Sequence, residues 1–125
     1  MSVETVARKF MELCKLGKHF EVMRTMYAPE MVSVEGDGRE FVGKENVIKK
    51  SEVFQGENNI LSQDLRGPFF LGDPNAGAGK FAVYTSIDFA PKKGGPRVTH
   101  EEVGFYTVKN DTITREEFYY DGAFI

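Results

Sequence analysis

Residues 10–43, FMELCKLGKHFEVMRTMYAPEMVSVEGDGREFVG, predict two helices, a strand and a turn in close succession. Apolar residues recur at the three-and-four spacing of one helical face, at Val3, Val6, Phe10, Leu13 and Cys14. Gly17 ends this helix, and a second stripe predicts another: Phe20, Met23 and Tyr27. Pro29 cannot continue that helix, and residues 31–34 then have the pattern of a strand. Two helices that fold back onto a strand need a curved surface to lie on.

The rest of the chain supplies that surface, because its periodicity changes from helical to alternating. Residues 44–56 predict a short amphipathic helix, and residues 81–89 alternate as a strand with one apolar face does. Residues 97–108 and 112–120 predict two more strands, which a tight turn at residues 110–111 joins into a hairpin. Helices followed by an antiparallel meander predict an α+β fold, in one domain over residues 1–125.

Composition excludes several classes of partner. The chain has 125 residues, a net charge of −3 and a pI near 5.4, which argues against nucleic acid or an anionic membrane surface. Lys49–Lys50 is expected to be a short solvated pair. No apolar run is long enough to cross a membrane, and no signal peptide is apparent. The single cysteine, Cys14, forbids an internal disulfide and fits the reducing cytoplasm.

Two motifs carry a resemblance to a known superfamily. They are F-x-x-L-x-x-L-G with M-Y-A-P-E-x-V in the opening stretch, and GREFVGKENVI at residues 38–48. With the closing hairpin they resemble nuclear-transport-factor-2-like proteins, most closely the SnoaL-like and ketosteroid-isomerase-like branch. The resemblance implies a cone-shaped, curved antiparallel sheet wrapped around the N-terminal helices, an α+β barrel with a pocket at one end. It also implies a homodimer formed through the outer face of the sheet.

The resemblance also implies a comparison with ketosteroid isomerases, which use a helix tyrosine, an aspartate base and a late-strand acid. Phe10 falls at the tyrosine position and Val103 at the acid position, and neither can donate a hydrogen bond to an enolate oxygen. The base position falls at Gly36, between Glu35 and Asp37. A carboxylate base is therefore available, whereas steroid isomerisation by that route is not expected.

Four carboxylates are the candidate acid–base groups. Asp37 and Glu35 follow the first strand, while Glu101 and Glu116 share the sheet faces of Phe105 and Phe118 by period two. On an aromatic face their pKa values would be raised, which suits acid–base catalysis; at the rim of the sheet they would instead pair with arginines. His100, Glu102 and Tyr106 are assigned to the outer face. The expected pocket lining is Phe10, Phe81, Val83, Val103, Phe105, Phe118 and Tyr120.

Three functions remain open from the sequence. The first is a SnoaL-like enzyme that uses acid–base catalysis, without cofactor or metal, on a small, largely apolar molecule. The histidines lie far apart and show no metal-ligand spacing. The second is a non-catalytic protein that binds a small ligand in the same cavity. The third is a dimerisation or assembly domain whose working surface is the outer sheet face.

Overall fold

Three helices and six strands follow one another in the computed structural model, which describes residues 1–121. The elements are α1 (Val3–Lys15), α2 (His19–Met26), β1 (Tyr27–Val34), β2 (Glu40–Val42), α3 (Lys44–Glu57), β3 (Asn58–Leu71), β4 (Gly79–Pro91), β5 (Val98–Lys109) and β6 (Thr112–Tyr119).

Local sequence explains where the helices begin and end. The Ser2 side chain accepts a hydrogen bond from the Thr5 amide at 3.1 Å and caps α1. Gly17, with a φ of 75°, makes the break before α2, as predicted. The second helix ends at Met26, three residues before Pro29, because Tyr27 already begins β1. Tyr27 was predicted in the helical stripe and is instead the first residue of a strand.

The sheet has the order β2-β1-β6-β5-β4-β3 within the described residues. β1 runs parallel to β6, and every other neighbouring pair is antiparallel. The α+β cone predicted from the sequence is confirmed, with two differences. The sheet is mixed rather than antiparallel, and β2 and β3 leave two edges, so it does not close into a barrel.

One face of the sheet packs against α1 and forms the core. On β5 the inward residues are Glu102, Gly104, Tyr106 and Val108; the Tyr106 ring lies 4.5 Å from that of Phe10. The predicted inward set on β5, namely Glu101, Val103 and Phe105, was wrong by one residue. Because β5 carries apolar side chains on both faces, its alternation alone does not choose between them.

The inward residues of β6 were predicted in the right phase. Glu116 lies opposite Tyr106 in the ladder, and Phe118 lies opposite Gly104. Both therefore share the inner face with the β5 residues that contact α1. Phe81 and Val83 of β4 are fully buried in the same core.

Candidate functional site

A cavity of about 490 Å³ opens between the helices and the inner face of β3 to β6. Its walls are mostly apolar and come from α1, α2, α3 and the sheet, chiefly Phe10, Val22, Phe54, Leu65, Ile87 and Phe118. Its polar groups include three glutamates and one lysine, namely Glu35, Glu102, Glu116 and Lys50. The volume suits a small molecule, and the charged groups gather on only part of the lining.

Glu116 and Glu35 are the deeply buried carboxylates among these, each with 3% of its surface exposed. Tyr27 donates a hydrogen bond to Glu116 Oε1, and the Ser33 hydroxyl donates to Glu116 Oε2 at 2.6 Å. Burial raises the pKa of Glu116 above its ordinary value, and the charge of Glu102 adds to that rise. The positive charge of Lys50 and the two hydroxyl donors oppose it without cancelling it. Glu116 can therefore hold or release a proton at a higher pH than a solvated glutamate.

Lys50 reaches the same place from α3. Its Nζ donates to the Ser33 hydroxyl at 2.8 Å and to Glu35, and it lies 3.9 Å from Glu116 Oε2. The ammonium also lies 5.3 Å from the centre of the Phe118 ring. A buried lysine is tolerated because two carboxylates surround its charge. The expectation that Lys49–Lys50 is solvated was wrong for Lys50, which is 8% exposed.

The helical spacing in α3 contained a signal that Lys50 is buried. It follows Val47 by three residues, and Val47 is fully buried, so both side chains lie on the same face of α3. Lys49 lies off that face and is exposed. A lysine on an apolar helical face that also packs against a carboxylate-bearing sheet is a recognisable pattern.

Tyr120 completes the far end of the polar network. Its hydroxyl donates to Glu35 Oε2 at 2.7 Å, so Glu35 is held between Tyr120 and Lys50. Burial and the Glu35 carboxylate raise the pKa of Tyr120, which keeps the phenol protonated. Gly36 makes room for this ring, since a Cβ there would lie 2.9 Å from it. Gly36, the position at which the ketosteroid-isomerase resemblance predicts the base, therefore accommodates the ring of Tyr120.

Tyr106 and Glu102 face the cavity from β5. Glu102 was assigned to the outer face by the sequence; instead its Oε1 lies 3.5 Å from His100 Nε2, and both side chains are nearly buried. Tyr106 is 7% exposed, and its ring packs among Phe10, Phe81 and Phe118. Its pKa is raised well above the ordinary value by burial and by the charges of Glu116 and Glu102.

Two of the four predicted acid–base residues lie away from the cavity. Asp37 is exposed in the turn after β1, where the Arg39 amide and guanidinium bind it and lower its pKa. Glu101 lies on the outer face and accepts a hydrogen bond from the Tyr84 hydroxyl at 2.6 Å. Glu35 and Glu116 are the two that the fold brings together, through Lys50.

The predicted lining residues divide in the same way. Phe10 and Phe118 line the cavity, and Tyr120 lies beside it through Glu35. Phe81 and Val83 do not line it, because both are packed in the core. Val103 and Phe105 lie on the outer face, where the Phe105 ring contacts Tyr119 at 5.4 Å. The sequence analysis missed Lys50, Tyr27 and Ser33 as site residues, and it placed Tyr106 on the wrong face.

Metal and membrane signals are absent from residues 1–121. No group of three or more His, Cys, Asp and Glu side chains in this range could hold a metal ion. None of the helices described there combines the length and apolarity needed to cross a membrane.

Comparison with known families agrees with this geometry. The family model of the SnoaL-like domain matches residues 1–120. The chain belongs to the SnoaL-like family. A Mesorhizobium loti protein, provisionally named a SnoaL-like polyketide cyclase and carbohydrate phosphatase, is 36% identical and superimposes with a TM-score of 0.86. That comparison covers 96% of this SnoaL-like chain and 100% of the relative. No curated protein matches the chain significantly.

More distant structures share only the fold. An NTF2-like protein from Burkholderia thailandensis is 10% identical, with a TM-score of 0.78 over 97% of this chain and 92% of its own. A Bacillus subtilis protein, provisionally named an isomerase, is 13% identical, with a TM-score of 0.68 over 94% and 84% of the two chains.

The adjacent lysines of α3 offer a matched test of the buried network. Lys50→Met removes the cation between Glu35 and Glu116 and leaves two buried carboxylates without it. We expect a loss of about 3–5 kcal/mol in the free energy of unfolding near neutral pH. The loss should shrink in acid, because protonated carboxylates need no cation. Urea unfolding at the two pH values measures both effects.

Lys49→Met is the control, because Lys49 is exposed on the same helix. It should change the free energy of unfolding by no more than about 0.5 kcal/mol. Equal stability of the two variants near neutral pH would contradict the buried ion-pair network.

Proposed function

We propose that this SnoaL-like protein is an acid–base catalyst that moves a proton beside a carbonyl group in a small, largely apolar molecule. Glu116 is the base that takes the proton and the acid that returns it. Isomerisation and aldol-type ring closure both begin with this step. The observation that carries the proposal is Glu116 itself, buried on the cavity wall with a raised pKa between Tyr27 and Ser33.

The contacts of Glu116 leave it able to accept a further proton. Each of its oxygens accepts one hydroxyl hydrogen bond, and a carboxylate oxygen has lone pairs for two. The two donors fix the orientation of the carboxylate, so it loses little freedom on meeting a substrate. The charge of Lys50 lowers the pKa of Glu116 and so partly opposes the effect of burial, which favours the ionised form that accepts a proton. Ser33, Tyr27 and Lys50 are therefore positioning residues.

The cavity walls favour an apolar substrate. Phe10, Phe54 and Phe118 line the space beside Glu116, and apolar residues form most of the rest. An apolar wall excludes water, which strengthens the electrostatic effect of each polar group inside. The name of the similar Mesorhizobium loti protein, a polyketide cyclase, fits the same reaction class, because cyclisation of a polyketide joins a carbon beside one carbonyl to another carbonyl.

Proton exchange from a benzo-fused cyclic ketone, β-tetralone, tests the proposal without knowledge of the natural substrate. In D₂O the wild type should exchange the α-protons, as followed by proton NMR. Glu116→Gln should slow the exchange on the order of a hundredfold or more, because it removes the base. The wild-type rate should rise with pH through a midpoint above the ordinary value of 4.5, since only ionised Glu116 accepts a proton.

Glu117→Gln is the matched control, because Glu117 is the next residue of β6 and faces outward beside Arg115. It should exchange like the wild type. Exchange by the wild type no faster than by an equal concentration of acetate would contradict the proposal, as would full activity of Glu116→Gln. Binding of β-tetralone without exchange would favour the non-catalytic binding protein instead.

We also propose that two copies of the chain associate through the outer face of the sheet. That face carries an aromatic row across β3 to β6, formed by Phe69, Tyr84, Phe105 and Tyr119. Phe69 is 59% exposed and Tyr119 is 56% exposed in the single chain. Exposed aromatic groups on one face are typical of an association surface.

Sedimentation equilibrium tests this association. The wild type should sediment as a dimer at micromolar concentration, and a charge at the exposed β6 end of the row, Tyr119→Glu, should convert it to a monomer. Val53→Glu is the control, because Val53 is 49% exposed on α3, away from the sheet. A monomeric wild type would contradict the proposal.

A further inference from the structure

We propose that the Tyr106 hydroxyl binds the carbonyl oxygen of the molecule in the cavity and stabilises the negative charge that develops there. The catalytic part of this proposal rests on the proposed function of Glu116, whereas the binding part does not. Tyr106 would be a catalytic tyrosine on the sheet, whereas the ketosteroid-isomerase resemblance predicts a tyrosine on α1.

The first observation is a hydroxyl at the cavity without a hydrogen-bond partner in the described protein. Tyr106 is 7% exposed and lines the cavity, yet its hydroxyl makes no hydrogen bond with any group of residues 1–121. Tyr27 and Tyr120, by contrast, each donate to a glutamate. A ligand oxygen in the cavity would satisfy the third tyrosine.

The second observation is that the fold fixes the direction of this hydroxyl. The ring is held by Phe10 at 4.5 Å and Phe81 at 5.1 Å. It lies over Gly104, where a Cβ would be 2.8 Å from the hydroxyl oxygen. Only a residue without a side chain lets the phenol extend along β5 towards Glu102, into the cavity.

The third observation is the charge of the site, which selects the kind of oxygen. Burial and the nearby Glu116 and Glu102 charges raise the pKa of Tyr106 well above its ordinary value, so the phenol stays protonated and donates. Three carboxylates line the cavity against the single cation of Lys50 in the described lining. This excess of negative charge opposes a carboxylate or phosphate ligand. A neutral carbonyl compound fits this site, because its oxygen accepts a hydrogen bond and it carries no negative charge.

One ligand can contact Tyr106 and Glu116 together. They lie directly opposite each other on β5 and β6 and face the same side, with Cβ atoms about 5 Å apart. As the α-carbon proton passes to Glu116, the C–H electron pair forms the new carbon–carbon double bond. The carbonyl π pair moves to oxygen, and Tyr106 donates to that oxygen. Return of the proton reverses these steps, so no other reagent is consumed.

The position of Phe10 supports this assignment. Phe10 occupies the place where the ketosteroid-isomerase resemblance predicts a tyrosine, and its ring contacts that of Tyr106. The hydroxyl missing from α1 is therefore available from the neighbouring strand. Loss of the helix donor does not leave the cavity without a donor for an oxyanion.

Tyr106→Phe tests the proposal, because it removes one oxygen atom and keeps the ring contacts. Infrared spectroscopy of β-tetralone labelled with carbon-13 at its carbonyl reports the hydrogen bond directly. The carbonyl stretch should shift to lower frequency when the ketone binds the wild type, and this shift should be lost in Tyr106→Phe. Saturated α-proton exchange should slow on the order of a hundredfold. Stability should not fall, since no protein hydrogen bond is lost.

Tyr119→Phe is the control, because Tyr119 is exposed on the outer face; it should match the wild type in both measurements. An equal carbonyl shift in the wild type and Tyr106→Phe would overturn the proposal even if Glu116 catalyses exchange, and so would failure of the wild type to bind millimolar β-tetralone. If the shift depends on Tyr106 but the wild type shows no exchange, the binding part stands and the proposed function of Glu116 falls.

Discussion

A lysine ammonium buried between two glutamates is the constraint on which the rest of the site depends. Lys50 comes from α3, Glu35 from the end of β1 and Glu116 from β6, and Ser33 connects them. An unpaired ammonium in this position would cost several kcal/mol, so burial of Lys50 requires the carboxylates from β1 and β6 to be in place. The parallel pairing of β1 with β6 makes this possible, because its register puts Ser33 beside Glu116.

This constraint also divides the cavity into two parts with different tasks. The polar network orients Glu116 and affects its pKa, while aromatic and aliphatic side chains form the walls of the rest of the cavity. Two glycines make the arrangement possible, since Gly36 accommodates Tyr120 and Gly104 accommodates Tyr106. The result is an oriented carboxylate, which we propose as the base, and a phenol unpaired within the described residues, which we propose as the donor to the ligand.

Much of the fold could be predicted from the sequence because the relevant signals are local. Helical spacing located α1, and Gly17 located its end. The closing hairpin followed from alternation around a two-residue turn. Among the candidate acid–base residues, Glu35 and Glu116 line the cavity; the sequence pointed to them because one follows the first strand and the other alternates with Phe118.

The features that could not be predicted from the sequence depend on tertiary contacts, which no local pattern contains. β5 has apolar residues on both faces, so only its packing on Phe10 shows that Tyr106 and Glu102 point inward. The parallel pairing of β1 and β6 joins segments that are far apart in the sequence; Ser33 and Glu116, for example, are 83 residues apart. Lys50 looked solvated because charged residues usually are, and only its two distant carboxylate partners reverse that expectation.

The most direct measurement of the central claim is the pKa of Glu116 by NMR titration of the protein labelled with carbon-13 at its glutamate side-chain carboxyls. One resonance should titrate clearly above the ordinary glutamate value of 4.5 and should be absent from Glu116→Gln. This titration should move to still higher pH in Lys50→Met, because the opposing positive charge is gone. An ordinary pKa for Glu116 in the folded protein would show that burial does not control this carboxyl.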